Sequence, residues 1–228
     1  MYKIGFFPIF GFIFYKMHFR EDIEKYTEAP LSRHVMLDLL KDYKRPNDKI
    51  TELAKAGMLT ILKNGLYIPM GKRGLYVTEP FLVANHLWGP SYVSVESALS
   101  HWGFIPERVY EIASMTTKAS KKYETAIGRF TYRHLVKPYY SFGIKQVKLK
   151  EKQVALIASP EKAICDKIIT TPGLFLRSTK QATEFLIEDM RMDEDNLRKL
   201  NISEMGSWLK YAPKWASLET LVKTLAIL

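Results

Sequence analysis

Apolar residues recur at helical intervals early in the chain. Leu31, Val35, Leu39 and Tyr43 stand four apart, with Met36 and Leu40 beside them, and this spacing predicts an amphipathic helix over 31–43. Upstream, "FREDIEKYTEA" (19–29) has helical composition with acids in its first turn. Pro46 opens a third helix, with Asn47 and Asp48 suited to that end. Ile50, Leu53 and Ala54 form its apolar face and Gly57 its stop. After Gly57 the period shortens. "MLTIL" and "GLYIP" read as strands joined by "KNG", and Asn-Gly is a strong hairpin signal because both residues tolerate positive φ. Three helices and a hairpin predict a winged helix-turn-helix over 17–75, in which the third helix enters the major groove and the wing touches backbone.

The pattern over 76–228 is mixed. Phe81, Ala84 and Leu87 make a short helical stripe that Gly89 and Pro90 stop. In "PSYVSVESALSHWG" (90–103), Val95, Ala98, Leu99 and Trp102 share one helical face. Ser94 stands at the N-cap position and Gly103 at C′. "RVYEIASMTT" reads as a strand, "KASKKYETAIG" as a basic loop, and "RFTYRHLVKPYYSFGIKQVKL" as two strands broken at Lys137-Pro138. "KQVALIA" is a further strand. In "SPEKAICDKIITTPG", Ser159 is an N-cap, Pro160 the first helical residue and Glu161 a favourable first-turn acid. The remainder to residue 228 has helical composition. The expected class is α+β: a winged helix-turn-helix, then a domain over 76–228 with a small, mainly antiparallel sheet covered by helices.

Charge sharpens this picture. The chain of 228 residues carries a formal net charge of +10. The excess lies in two blocks: nine basic against four acidic groups over 30–75, and eleven against four over 104–153. Such blocks favour polyanion partners, nucleic acid first; the alternative is a basic, solvated surface. In the first block, Lys44, Arg45, Asn47 and Lys49 gather at the start of the third helix, Lys63 and Asn64 at the wing tip, and Lys72 and Arg73 just after it. The lysines suit phosphate, whereas Arg45 and Asn47 suit base edges. A winged helix that binds protein, or is only structural, is the competing reading. In the second block, Lys118, Lys121, Lys122, Arg129, Arg133 and Lys137 interleave with aromatics. They suggest a second surface for nucleic acid or an acidic partner; alternatively, the aromatics fill a sheet core while the lysines solvate its edge.

Signals for catalysis are weak. Ser97 and His101 stand four apart on one predicted helix, but there is no G-x-S-x-G elbow. The five histidines lack H-x-x-x-H spacing, and Cys165 is the single cysteine, so no metal, cofactor or internal disulfide is expected. Glu161 and Asp166 with Lys162 and Lys167 could suggest a nuclease, but five residues along a helix is a poor spacing for a shared metal. Cys165 is expected to be buried, and a reducing cytoplasm is the natural setting. "MYKIGFFPIFGFIFYK" (1–16) is too short for a membrane span, which needs about 20 residues. It reads as a start-codon artefact ahead of Met17, or a greasy arm.

Taken in order, "NGLYIPMG", "PFLVANHL", "PSYVSVESALSHWG" and "ASPEKAICDKI" resemble the AbiEi antitoxin family, over about residues 30–170. The resemblance implies an N-terminal winged helix that represses the antitoxin's own operon at inverted repeats. It also implies a C-terminal domain that neutralises a nucleotidyltransferase-like toxin, AbiEii, encoded alongside. Such type IV toxin-antitoxin pairs need not form a stable complex, and some act in phage defence by abortive infection. Palindromic sites require two copies on DNA, which could bind as separate monomers. A plain regulator with a sensing C-terminal domain is the alternative; a nuclease is the third.

Overall fold

The computed structural model describes residues 26–71, 76–107 and 109–228. The 1–16 leader, most of the 19–29 helix, and Lys72 and Arg73 lie outside the described residues. Contacts divide the chain into two compact units, with the boundary between Glu79 and Pro80. The protein is mixed α/β, with two sheets among the described residues. Among the described residues, no helix is long and apolar enough to cross a membrane.

In the first unit, β1 (Leu31–Ser32) leads into α1 (Arg33–Leu39), α2 (Pro46–Lys55), β2 (Leu59–Lys63) and β3 (Leu66–Pro69). The strands form an antiparallel sheet of order β1-β3-β2. The helix expected over 31–43 is therefore shorter. Leu31 and Ser32 pair with Tyr67 and Leu66, and Ser32 caps α1 through Val35 N–H. This pairing selects which apolar stripe is buried. Met36 and Leu40 are fully buried, whereas Val35 faces solvent at 37% exposure. The core closes with Leu31, Ile50, Leu53, Leu59 and Tyr67.

α2 ends as its sequence demands. Gly57 takes φ +68°, donates to Ala54 O, and lets Met58 N–H reach Leu53 O. Together these form a Schellman motif that satisfies the last carbonyls. The Asn64-Gly65 turn differs in detail from expectation, since only Gly65 adopts positive φ. A register shift between Ile61 and Lys63 absorbs the difference.

The second unit is built on a six-stranded sheet of order β6-β7-β5-β4-β9-β8. Its strands are β4 (Ser91–Val93), β5 (Glu111–Thr116), β6 (Lys121–Thr125), β7 (Gly128–His134), β8 (Ile144–Lys150) and β9 (Gln153–Ala158). Three pairings are antiparallel; β5 with β7 and β4 with β9 are parallel. The stretch expected as a basic loop, 118–128, is instead largely strand β6 and its turn. Lys121 and Lys122 pair with Tyr132 and Thr131. An edge strand tolerates lysines because its outer flank is solvated, so charge hid the strand.

α3 (Pro80–Leu87) packs on the face that carries Tyr132, whose hydroxyl donates to Ala84 O at 2.7 Å. α4 (Val95–His101) and α5 (Pro160–Thr170) lie on the other face, which carries Tyr92. Asn85 of α3 fills the gap where β4 and β9 diverge. Its amide accepts from Leu156 N–H at 2.7 Å and donates to Leu156 O and Ser91 O, both at 3.2 Å, standing in for a missing strand. After α5 come α6 (Thr179–Glu184), a π turn (Phe185–Asp189), α7 (Glu194–Leu197), α8 (Ile202–Trp208) and α9 (Trp215–Leu225). Lys214, just before α9, donates to Ile168 O, Thr171 O and Leu174 O at 2.7–3.0 Å, closing the C-terminal end of α5 where a cation suits the helix dipole.

Candidate nucleic-acid interface

At the start of α2, Lys44, Arg45 and Asn47 are exposed together. Arg45 lies 3.7 Å from Asp48, with both side chains more than 70% exposed. At that exposure the pair contributes little, and Arg45 is available to a partner. Lys49 is different. It donates to Glu52 at 2.8 Å, sits 5.4 Å from the Tyr43 ring centroid, and is only 13% exposed. It buttresses the helix rather than facing outward. Asn64 is exposed at the hairpin tip and Lys63 is half-buried.

One participant escaped the spacing argument. Arg33, the first residue of α1, donates through Nη2 to Asn47 Oδ1 at 3.1 Å. Its backbone N–H donates to Gly65 O at 2.9 Å. Arg33 therefore joins the hairpin turn to the beginning of α2. Its distance in sequence from both concealed it; a basic residue at the first position of a helix was the available signal.

The second basic set does not form one surface. Strand alternation sends Lys121 to one face of the sheet and Lys122, Arg129 and Arg133 to the other. Lys118 and Lys121 lie over the Trp88 ring at 5.0 and 4.6 Å, and Lys121 lies over Tyr123 at 4.9 Å. The intervening loop is held by Trp88 Nε1 donating to Ala119 O at 3.1 Å. On the opposite face Arg129 pairs with Glu124 at 3.2 Å, and Arg133 donates to Thr170 O and Oγ1. Lys137 is exposed beyond β7. Arg133 also lines a cleft of about 550 Å³ with Glu96, Ile105, Glu111, Lys167 and Met190. Within it, Lys167 is paired with Glu96.

The serines of 94–101 are occupied structurally. Ser97 donates to Glu111 O and accepts from Ala113 N–H, at 3.1 and 3.0 Å. Ser100 donates to Glu107 O at 3.2 Å. His101 packs against Phe81 and Trp102, and burial lowers its pKa. Ser94 occupies the N-cap position of α4 but makes no capping bond. Instead its hydroxyl donates to Asp166 Oδ2 at 2.7 Å.

Asp166 is the centre of a buried polar network. It accepts from Tyr92 at 2.9 Å, Ser94 at 2.7 Å and Tyr139 at 3.1 Å, and pairs with Lys162 Nζ at 3.2 Å. Lys162 and Asp166 are both 0% exposed. Lys162 also donates to Tyr139 O at 2.9 Å and lies over that ring. Burial lowers the Lys162 pKa, which Asp166 partly offsets. Burial and the neighbouring Asp166 raise Tyr92 and Tyr139 well above their usual value. Cys165 is buried, its thiol pushed up to about 12. Among the described residues, no group of three or more His, Cys, Asp and Glu could hold a metal ion.

With this geometry in hand, comparison with known proteins adds the fold. The chain is similar to the RV2827C protein of Mycobacterium tuberculosis. The crystal structure of that protein matches with a TM-score of 0.61 at 14% identity, over 90% of this chain and 75% of that one. At this identity the likeness to RV2827C extends to architecture and not to activity. No protein-family model and no curated protein matches the sequence.

Proposed function

We propose that the protein is a DNA-binding antitoxin that represses its own operon, with a winged helix in the first unit and toxin neutralisation in the second. One observation carries the DNA half: α2 starts in an exposed group of Lys44, Arg45 and Asn47 and is followed directly by an antiparallel hairpin with Asn64 at its tip. A helix so placed suits the major groove, and the hairpin suits flanking phosphate. Arg45 and Asn47 are the base-reading candidates, with Lys44 and Lys63 as phosphate contacts. Lys49 supports the helix instead.

The antitoxin half rests on the AbiEi resemblance, and the partner it implies is a nucleotidyltransferase-like toxin. Gel shifts on the protein's own promoter test the first half: Arg45→Ala with Asn47→Ala should weaken binding at least tenfold, and unchanged binding would overturn the assignment. Co-expression with the neighbouring gene tests the second, since failure of the full chain to rescue growth removes the antitoxin role. The cleft beside Arg133 and Lys167 favours a second reading, a regulator that senses a small polar ligand. Repression that responds to a metabolite in the absence of the neighbouring gene would support it.

A further inference from the structure

The Arg33–Asn47 pair says which base the first unit would read; this rests on the DNA-binding proposal. Both side chains are exposed. A carbonyl oxygen has two lone pairs, and Arg33 Nη2 engages Asn47 Oδ1 at 3.1 Å. Among the described residues, Arg33 Nε and Nη1 and the Asn47 amide nitrogen have no partner. The pair therefore presents mainly N–H donors outward, with one of the oxygen's two lone pairs in use.

Base edges in the major groove differ in what they ask for. Guanine offers two acceptors, N7 and O6. Adenine offers one acceptor and one donor, and a free asparagine matches it by accepting and donating at once. Arg33 competes with an adenine N6–H for the Asn47 oxygen, and its guanidinium adds donors that match the two guanine acceptors. The backbones that carry the pair are anchored. Arg33 is bonded through its backbone to Gly65 at the hairpin turn, and Asn47 is in the first turn of α2. The Nη2–Oδ1 bond also holds the two side chains to one another before DNA binds, which lowers the ordering cost.

We infer that Arg33 and Asn47 act as one specificity element that selects a guanine in the DNA site, with Arg33 setting the preference by the N–H donors it adds beside Asn47.

The test is selection from a random duplex library with the full chain, its Arg33→Ala and Arg33→Lys variants, and Asn47→Ala. The wild type should enrich a guanine at one position, and 7-deazaguanine there should weaken binding about 5- to 100-fold. Arg33→Ala should abolish that preference and shift it towards adenine, because the guanidinium donors are gone and Asn47 alone matches adenine. Arg33→Lys should retain low-salt affinity yet lose most of the preference, since an ammonium lacks the planar fork. If the wild type binds no duplex, the DNA-binding proposal fails and this inference with it. If it binds but selects adenine, or if Arg33→Ala weakens all sequences equally with the preference intact, the inference is wrong and DNA binding stands. The second result would mark Arg33 as a phosphate contact.

Discussion

The buried Lys162–Asp166 pair offers the sharpest test of how the second unit is held together. Asp166→Ala would remove the carboxylate paired with a fully buried ammonium and strand the hydroxyls of Tyr92, Ser94 and Tyr139. Stranding a buried charge costs about 3–5 kcal/mol, and each unsatisfied hydroxyl about 1–3 kcal/mol. The total rivals the whole stability of a domain, about 5–15 kcal/mol, so that variant should not fold. Milder changes make the measurement feasible. Lys162→Met removes the ammonium but leaves Asp166 three hydroxyl donors, and should cost about 3 kcal/mol. Asp166→Asn keeps volume and one acceptor oxygen but leaves Lys162 without a counter-charge, and should cost about 3–5 kcal/mol.

The double variant has no charge at either position; its amide oxygen still accepts from Tyr92 and Ser94, and its NH2 faces the Tyr139 hydroxyl, which can accept. It should therefore be less destabilised than the sum of the two by about 2 kcal/mol or more. Urea unfolding followed by tryptophan fluorescence reads this cleanly, because all four tryptophans, at 88, 102, 208 and 215, lie in the second unit. The slope with urea should stay constant across the set. Additivity within about 0.5 kcal/mol, or a Lys162→Met loss below about 1 kcal/mol, would refute the reasoning.

Alkaline pH should destabilise the same unit. Burial raises Tyr92, Tyr132 and Tyr139, and pushes Tyr140 and Cys165 up to about 12, from ordinary values of 10.0 and 9.0. Their contribution is complete below those ordinary values and is lost as pH rises towards the folded ones, because the unfolded chain releases its protons first. Lys162, depressed in the fold, works the other way up to 10.5, but the tyrosines outnumber it. The unfolding free energy should hold to about pH 9 and then fall, by about 1.4 kcal/mol per pH unit for each of these groups ionised in the unfolded chain but not in the fold; an equal urea midpoint at pH 9 and 11 would contradict this. Gly143→Ala should cost about 2–4 kcal/mol. The residue has φ +60°, and a Cβ there would meet Lys162 Cβ and Trp208 Cη2 at 2.7 Å each. Gly206→Ala, in α8 with nothing within 4 Å, should instead stabilise by about 0.5–1 kcal/mol. Thermal melts compare the two glycines directly, and equal losses would show that local crowding is not the cause.

What could be read from sequence separates by range. Ser159 and Gly57 were legible because their partners are local: Ser159 caps Lys162 N–H three residues on, and Gly57 closes the helix it ends. Ser94 looked like the same kind of cap, yet its partner is Asp166, 72 residues away. Val95, at φ +45°, follows immediately, and the serine hydroxyl makes no bond to its own helix. The helix over 31–43 failed for a related reason. Periodicity shows that a stripe exists, but the pairing of Leu31 with Tyr67 decides that Met36 and Leu40 rather than Val35 are buried. Among the basic residues, period-two alternation in β6 and β7 divided a set that looked continuous in the chain.

Two of the stretches that carry the resemblance meet in one place. "PSYVS" supplies Tyr92 and Ser94, and "SPEKAICD" supplies Ser159, Lys162 and Asp166. Asn85 of "PFLVANHL" closes the neighbouring gap between strands. A buried polar network constrains every member, since each unsatisfied group is costly, so these are the positions at which a fold leaves a readable motif. The residues that would touch DNA face no such constraint. Arg33, Arg45 and Asn47 are exposed and could change without cost to the core. The motifs therefore speak to architecture, and the activity has to be argued from the exposed side chains themselves. In the first unit the hydrogen bond from Arg33 to Asn47 is the feature on which the proposed base preference turns.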